Sequence, residues 1–468
     1  MKFALYLGNR GFFPERLIAE ARREVTGALA ALGIDTLCAP ENLTRYGAVE
    51  TRDEGRLYHD WLKSHEGEYE HRGEYDGVLL VLPNFGDENG ASEALCDCGV
   101  PIYILAYPDE LDKMDFQSRR DAFCGKLSIM DVFTQFNLPF TAWEPHTLHP
   151  SSPRFAEEMR QFAAVCRIVR GMKRCRIGAI GARPTAFKTI RFDEVALQKR
   201  GITVEVFDNS DLLLEVEKVK SGSPELEAKV RRFREYTDFS GVPADRVEML
   251  ARLSVAIDRM IERYDLQAVG LRCWLDLEQT LKISPCVVLS ELNDRGIPAA
   301  CELDVGNAVA MYALALASQE PAACLDWNNN YEEDPDRCIL FHCGPVAQSL
   351  MAGKGTVTEH KMFAKGDPGS GWGSNEGRIR AFDMTYSNCL TEDGKLTVYA
   401  SEGRFTEDPI EDAFFGCGGV AEIDDLQNKL IRLARGGFKH HTTVGVGHMQ
   451  AVLEEAFGTY LHYNVVRI

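Results

Sequence analysis

Three side chains that can bind a metal ion or move a proton each follow a short apolar run in the middle of the chain. Glu302 and Asp326 end two of these runs, and His342 ends the next one. Such runs predict buried strands, and ligands bind at the carboxyl ends of strands in open α/β sheets. If the three strands are neighbours, the three side chains converge at one edge. Carboxylates with an imidazole suit manganese, iron or cobalt, with magnesium also possible, so the pattern predicts a divalent metal site.

Each of these residues taken alone has a simpler explanation. A single Glu at a strand end is usually solvated, and a single Asp usually caps a helix. Asp304, which precedes an apolar and alanine-rich stretch, fits the capping role better than a ligand role. Only the occurrence of Glu302, Asp326 and His342 at three consecutive strand ends favours a shared site.

Further candidates lie elsewhere in the chain. A fourth metal ligand is available near the C-terminus, where spacing alone does not choose between His440, His441 and His448. Trp274 and Trp327 are candidates for lining a sugar pocket, because the CH faces of sugars pack on aromatic rings. Packing in a hydrophobic core explains the two tryptophans equally well.

The elements that would position these side chains change in character along the chain. Over the first two thirds, short apolar runs alternate with amphipathic stretches, which predicts βαβ units and parallel sheets. After about residue 350, glycine, threonine and aspartate become frequent and alternating runs indicate antiparallel β structure. We therefore predict an N-terminal α/β domain over 1–171, a central α/β domain with the candidate ligands over 172–345, and a β-rich domain over 346–468.

Composition excludes several classes of function. The formal net charge of -19 carries no basic block, which disfavours nucleic acid as a partner. No apolar segment is long enough to span a membrane, and the apolar stretch at the N-terminus is too short for a signal-peptide core. The 14 cysteines do not form the pattern of a small disulfide scaffold and suit a reducing compartment. We expect a cytoplasmic protein that acts on a small molecule.

The sequence resembles the L-fucose isomerase and L-arabinose isomerase superfamily over nearly its whole length. The resemblance is most specific in four stretches, which are 271–274, 300–304, 325–326 and 441–448. Residues 180–187 show a further likeness. It implies two doubly wound parallel-sheet α/β domains followed by a barrel-like, β-rich C-terminal domain, in agreement with the change of composition.

The same resemblance implies a set of metal ligands. Glu302 and Asp326 fall on the positions of two carboxylates that bind a divalent metal in this family, usually manganese. His441, which precedes the Gly-His pair ending at His448, matches the family's C-terminal histidine ligand. Arabinose-type enzymes add a histidine after the second carboxylate, where His342 fits. Fucose-type enzymes use three protein ligands, so the role of His342 stays open.

The resemblance also implies a homo-oligomer. Family members form trimers or hexamers in which the N-terminal domain of one subunit covers the metal of its neighbour. Arg10, in the loop after the first predicted strand, would then contact the distal groups of a substrate in the adjacent site. An ordinary surface arginine is the alternative interpretation.

The activity implied is the interconversion of an aldose and a ketose. The metal would polarise the carbonyl group, and one of Glu302 and Asp326 would move a proton between C1 and C2 through an enediol. A hydride shift is the alternative route. A non-catalytic sugar-binding protein and a metal-dependent hydrolase or aldolase are the rival functions. The substrate stays open among a deoxy-hexose, a pentose and an acidic sugar derivative.

Overall fold

The computed structural model describes residues 1–67 and 73–468. The chain divides into two compact units, residues 1–170 and 171–468. In the described ranges, no helix is both long enough and apolar enough to cross a membrane.

The first unit is built on a parallel sheet of four strands in the order β2-β1-β3-β4. All six residues of β3 are buried, as expected for a parallel strand whose two faces are both covered. The strands are β1 (Lys2–Leu7), β2 (Asp35–Cys38), β3 (Gly77–Leu82) and β4 (Ile102–Ala106). The helices are α1 (Arg16–Ala31), α2 (Arg52–Ser64), α3 (Glu88–Leu95), α4 (Ala122–Gln135) and α5 (Pro153–Met172).

The second unit begins with another parallel sheet of four strands, in the order β6-β5-β7-β8. Its strands are β5 (Cys175–Ile180), β6 (Ile202–Phe207), β7 (Ala268–Leu271) and β8 (Ala299–Cys301). The helices around this sheet are α6 (Glu194–Gln198), α7 (Asn209–Lys218), α8 (Pro224–Tyr236), α9 (Ala244–Tyr264), α10 (Asp276–Thr280), α11 (Cys286–Asp294) and α12 (Val305–Ser318).

The rest of the second unit is dominated by a six-stranded antiparallel barrel. The strand order is β15-β10-β9-β16-β13-β14, and β14 pairs again with β15 to close it. The barrel strands are β9 (Ala322–Asn330), β10 (Arg337–His342), β13 (Phe382–Glu392), β14 (Lys395–Phe405), β15 (Cys417–Glu422) and β16 (His441–Val446). The added elements are β11 (Thr356–Glu359), β12 (Trp372–Arg378), β17 (Asn464–Val465), α13 (Lys361–Ala364), α14 (Leu426–Arg435) and α15 (Gln450–Glu454).

The predicted fold class, two parallel-sheet α/β domains followed by a barrel-like β domain, is confirmed. The antiparallel sheet begins earlier than the change of composition near residue 350, because β9 and β10 already belong to it. Five of the six residues of β10 are buried, so this strand has the continuous apolar character of a parallel strand. Composition alone could not separate the two kinds of strand.

Helix α12 joins the parallel sheet to the barrel. Ten of its residues are buried, because it packs against β7 and β8 on one side and against β9, β13 and β16 on the other. A helix that is apolar on all sides is expected in such a position. Its N-terminus follows directly on β8 and therefore fixes where the end of β8 lies relative to the barrel.

Candidate functional site

Glu302 lies in a strained turn between β8 and α12. Glu302 and Leu303 have φ values of 63° and 66°, in the left-handed region that residues other than glycine rarely adopt. The Leu303 N–H donates to the carbonyl oxygen of Leu271 at 3.1 Å, which holds the turn against the end of β7. The turn leaves Glu302 only 9% exposed. Such strain persists where the surrounding structure enforces it, and it is common at functional sites.

Asp326 and His441 face Glu302 from the barrel. They are direct partners in the antiparallel register of β9 and β16, so their side chains lie on the same face. His441 Nε2 lies 3.3 Å from Glu302 Oε2 and 3.4 Å from Asp326 Oδ1. The structure thus brings the three residues together from the parallel sheet and from two barrel strands.

Several buried polar atoms at this point have no hydrogen-bond partner within the chain. They are Glu302 Oε2, His342 Nε2 and His441 Nε2. The potential ligand atoms of these three residues all lie within 4.8 Å of one another. Buried polar atoms are nearly always paired, so a group that bonds to several at once is expected here. Carboxylate oxygens with imidazole nitrogen fit a divalent cation.

The protonation of Glu302 suits this role. Burial alone would raise the pKa of its carboxyl group, but the His441 ring, 3.3 Å away, and the nearby His342 lower it overall. The carboxylate is therefore ionised at neutral pH, as a metal ligand requires.

Asp304 sets the orientation of His441. Its Oδ2 accepts from His441 Nδ1 at 2.8 Å, which leaves the Nε2 lone pair directed at Glu302 and Asp326. Asp304 also pairs with the ammonium group of Lys439 and caps α12 by accepting from Asn307 N at 3.0 Å. Burial opposes ionisation, but Lys439 and His441 keep the pKa of Asp304 well below its usual range. The expected cap is present, and the contact with His441 is one that the sequence did not reveal.

Gly306 makes room for this ion pair. A Cβ atom at this position would meet Lys439 Nζ and would lie 2.6 Å from the carbonyl oxygen of Cys389. Any side chain would therefore push Lys439 away from Asp304. The glycine in the first turn of α12 is explained by this close approach and not by a need for flexibility.

His342 presents a different tautomer from His441. The Cys343 N–H donates to His342 Nδ1 at 2.9 Å, so the Nδ1 lone pair is occupied. In the neutral ring the proton then lies on Nε2, the atom near Glu302 and His441. His342 is at the site, and this nitrogen is a hydrogen-bond donor in that state.

Trp274, Phe187 and Phe363 form an aromatic wall beside the candidate ligands. Trp274 Nε1 donates to Glu302 Oε1 at 3.1 Å, and the Trp274 ring lies 5.0 Å from Phe187 and 6.0 Å from Phe363. Phe187 also lies 5.6 Å from His440, whose ring is 4.2 Å from that of His441. Trp274 is thus placed where it can contact a substrate. Phe187 and Phe363 were not singled out from the sequence, although Phe187 lies in the conspicuous segment 180–187.

Trp327 and Arg10 lie elsewhere. Trp327 points to the opposite face of β9 from Asp326, where its ring packs 5.6 Å from Tyr386 in the barrel core. The core-packing interpretation therefore describes Trp327. Arg10 belongs to the first unit, where its Nε donates to Gly86 O at 2.8 Å and its guanidinium group pairs with Glu88. The chain by itself gives Arg10 a local partner and does not show a role in catalysis.

The chain has sequence relatives across both units. Residues 4–173 match the family described as "Fucose/sulfoquinovose isomerase, N-terminal domain", and residues 340–468 match "L-fucose isomerase, C-terminal domain". A sulfoquinovose isomerase from Priestia aryabhattai is 24% identical over 457 residues, covering 96% of this chain and 95% of its own. Another from Clostridium sp. (strain MSTE9) is 28% identical over 204 residues, covering 43% of this chain and 45% of its own.

The buried ion pair leads to a prediction about stability. Replacing Asp304 by Asn keeps a cap acceptor but leaves the Lys439 ammonium group buried and unpaired, which should cost about 3–5 kcal/mol. The double variant Asp304→Asn with Lys439→Met should recover most of this loss. Urea unfolding measures both, with Asp208→Asn at the cap of α7 as the matched control, expected to cost little because Asn caps a helix about as well as Asp. An Asp304→Asn variant no less stable than this control would contradict the prediction.

A second prediction concerns Glu278, a buried carboxyl group that the sequence did not single out. Burial raises its pKa to about 8, although Ser284 Oγ donates to Oε1 at 3.1 Å. At pH values between 4.5, the ordinary pKa of a glutamate, and about 8, Glu278 keeps its proton in the folded chain and loses it in the unfolded chain. Stability should therefore fall as pH rises through this window.

Replacing Glu278 by Gln removes this titration. The variant should match the wild type in stability near pH 5 and exceed it by a few kcal/mol, on the order of 3, near pH 9. Urea unfolding at a series of pH values measures the difference, and Glu235→Gln on the exposed face of α8 controls for the loss of one charge. A difference that does not change with pH would show that Glu278 is ionised in the folded chain.

Proposed function

Since the chain belongs to the fucose isomerase-like proteins and is an aldose–ketose sugar isomerase, we propose that it converts a sulfonated aldose of the sulfoquinovose class into its ketose. The relatives aligned over nearly the whole chain carry this activity in their names. A sulfonate requires cationic groups, and the segment that carries Phe187 into the aromatic wall also carries Arg183 and Lys188. Cytoplasmic location is part of the same proposal.

The proposed cofactor is a divalent metal ion, Mn²⁺ in the first instance, held by Glu302, Asp326 and His441. The observation that carries this assignment is that His441 Nε2 and Glu302 Oε2 are buried without a hydrogen-bond partner, while His441 Nε2 lies 3.3 Å from Glu302 Oε2 and 3.4 Å from Asp326 Oδ1. When bound, the ion would polarise the sugar carbonyl group and stabilise negative charge on its oxygen. Zinc is a weaker candidate, because zinc sites more often recruit thiolates or several histidines.

The protein's own residues have distinct roles in this proposal. Glu302 is held on one oxygen by Trp274 and turns the other towards His441, so it positions the ion. Asp326 keeps a quarter of its side chain exposed, and we assign to it the movement of a proton between C1 and C2. Trp274, Phe187 and Phe363 pack on the sugar and exclude water from the reacting carbons.

Whether His342 binds the metal or donates a hydrogen bond depends on the proton on its Nε2 atom. Its Nδ1 accepts from Cys343 N, so His342 in its neutral form donates from Nε2. We assign it to a hydrogen bond with a sugar hydroxyl group or with Glu302, as the alternative to its role as a fourth ligand. Glu302, Asp326 and His441 then form the three-ligand set of the fucose-type enzymes.

The family resemblance also leads us to propose a trimer or hexamer. In such an assembly, Arg10 of one subunit would face the site of its neighbour. To reach a substrate, Arg10 would exchange its contact with Glu88 for one with the sugar's distal group.

Ketose formation from a panel of sugars tests the proposal. With Mn²⁺ present, kcat/KM for sulfoquinovose should exceed that for glucose by roughly 100-fold, because Arg183 and Lys188 can pair with the sulfonate and glucose offers them no anion. Chelation should abolish turnover, and Glu302→Gln should lower kcat by at least roughly 1000-fold in a folded protein. Glu320→Gln, at an exposed position two residues beyond the end of α12, is the matched control and should retain activity. Equal rates with glucose and sulfoquinovose would contradict the sulfonated substrate, and an active Glu302→Gln variant would contradict the site.

A further inference from the structure

Four thiol groups meet beside the candidate site. Cys301 Sγ lies 3.1 Å from Cys273 Sγ, and Cys286 Sγ lies 3.5 Å from Cys343 Sγ. Cys301 and Cys343 are in side-chain contact as well, which joins the two pairs into one cluster. Cys273, Cys286 and Cys301 are buried, and Cys343 is partly exposed.

These four residues come from four separate parts of the second unit. Cys273 follows β7, Cys286 begins α11, Cys301 ends β8, and Cys343 follows β10. Burial as a small apolar residue explains a cysteine such as Cys338, whose pKa is raised to about 12 by burial alone. It does not explain why the sulfur atoms of four separate segments should form an unbroken series of contacts, from Cys273 through Cys301 and Cys343 to Cys286.

We propose that Cys273, Cys286, Cys301 and Cys343 form a binding site for one thiophilic divalent cation, Zn²⁺ or Cd²⁺. Thiolates select such ions, whereas oxygen and imidazole ligands suit manganese. The thiol cluster is therefore distinct in chemistry from the site formed by Glu302, Asp326 and His441, and the proposal does not depend on the sugar substrate.

The distances favour a cation over a disulfide bond. Four sulfurs around Zn²⁺, each at about 2.3 Å, are separated by about 3.8 Å in a tetrahedron. The observed 3.1 and 3.5 Å require each pair to open by well under about 1 Å. A disulfide bond of about 2.05 Å would require each pair to close by about 1 Å or more. Binding involves no redox step, because each thiol that becomes a ligand releases its proton to solvent.

His342 lies between the thiol cluster and the candidate metal site. Its Nδ1 lies 3.2 Å from Cys343 Sγ, and its Nε2 is near Glu302 and His441. Cys301 and Glu302 are also consecutive in the chain. A cation in the thiol cluster would therefore be one side chain away from the metal proposed for catalysis.

Titration of the full chain with Cd²⁺ in the presence of saturating Mn²⁺ tests the proposal. Cadmium thiolates absorb in the ultraviolet, so binding is read without any measurement of turnover. We expect one Cd²⁺ per chain with thiolate absorption, displaced by Zn²⁺. The double variant Cys273→Ser with Cys301→Ser should weaken binding by at least roughly 100-fold. An unaltered wild-type spectrum after addition of Cd²⁺ would overturn the proposal.

The control is the surface group formed by His59, Cys96 and Asp97, which could also hold a cation. The variant Cys96→Ser with Cys98→Ser should retain the absorption and the stoichiometry. Loss of the signal in this variant, with retention in the Cys273/Cys301 variant, would assign the binding to the surface and contradict the proposal. If the core double variant fails to fold, Cys343→Ser at the partly exposed position decides, and unchanged Cd²⁺ affinity there is the contradicting result.

Discussion

The buried ion pair between Asp304 and Lys439 is the interaction on which the site depends. The two side chains are at most 1% exposed, so neither charge would be tolerated without the other. The carboxylate oxygens of Asp304 also accept hydrogen bonds from Asn307 N, which caps α12, and from His441 Nδ1. One carboxylate thus fixes the start of a helix and the direction of an imidazole on a strand that follows much later in the chain.

Helix α12 holds together the three segments that carry the candidate ligands. It begins at the end of β8, where Glu302 lies, and packs on β9 and β16, which carry Asp326 and His441. The parallel sheet and the barrel therefore cannot shift relative to each other at this point without moving a candidate ligand. The left-handed turn at Glu302 and Leu303 is the strained connection that this packing maintains.

Much of this was predictable from sequence because strand ends are marked by local patterns. Apolar runs that stop at Glu302, Asp326 and His342 are visible without a structure. The predicted strand end at Asp326 is wrong, because β9 continues to Asn330 and Asp326 lies in its middle. Even the placement of Trp327 follows from the sequence, since neighbouring residues in a strand face opposite sides and Asp326 is predicted to face the site. The sheet to which β9 and β10 belong was hidden, because β10 and the first four residues of β9 are buried on both faces and lose the alternation that marks antiparallel pairs.

The contacts of Asp304 with Lys439 and His441 could not be inferred in the same way. A carboxylate before an apolar helix has a sufficient local explanation as a cap, and its long-range partners leave no trace in the local pattern. The same is true of the thiol cluster, whose four members are far apart in the chain. Glu278 is likewise an ordinary acidic residue in sequence, and only its burial changes its pKa.

The central claim is that Asp304 orients His441 so that its Nε2 binds a metal ion together with Glu302 and Asp326. Pulsed electron paramagnetic resonance on the Mn²⁺-loaded protein, with ¹⁵N-labelled histidine, measures this directly. The account predicts coupling to one directly bound imidazole nitrogen, lost when His441 is replaced by Ala and retained when His342 is replaced by Ala. Bound Mn²⁺ without a nitrogen ligand, or coupling that survives the loss of His441, would contradict it.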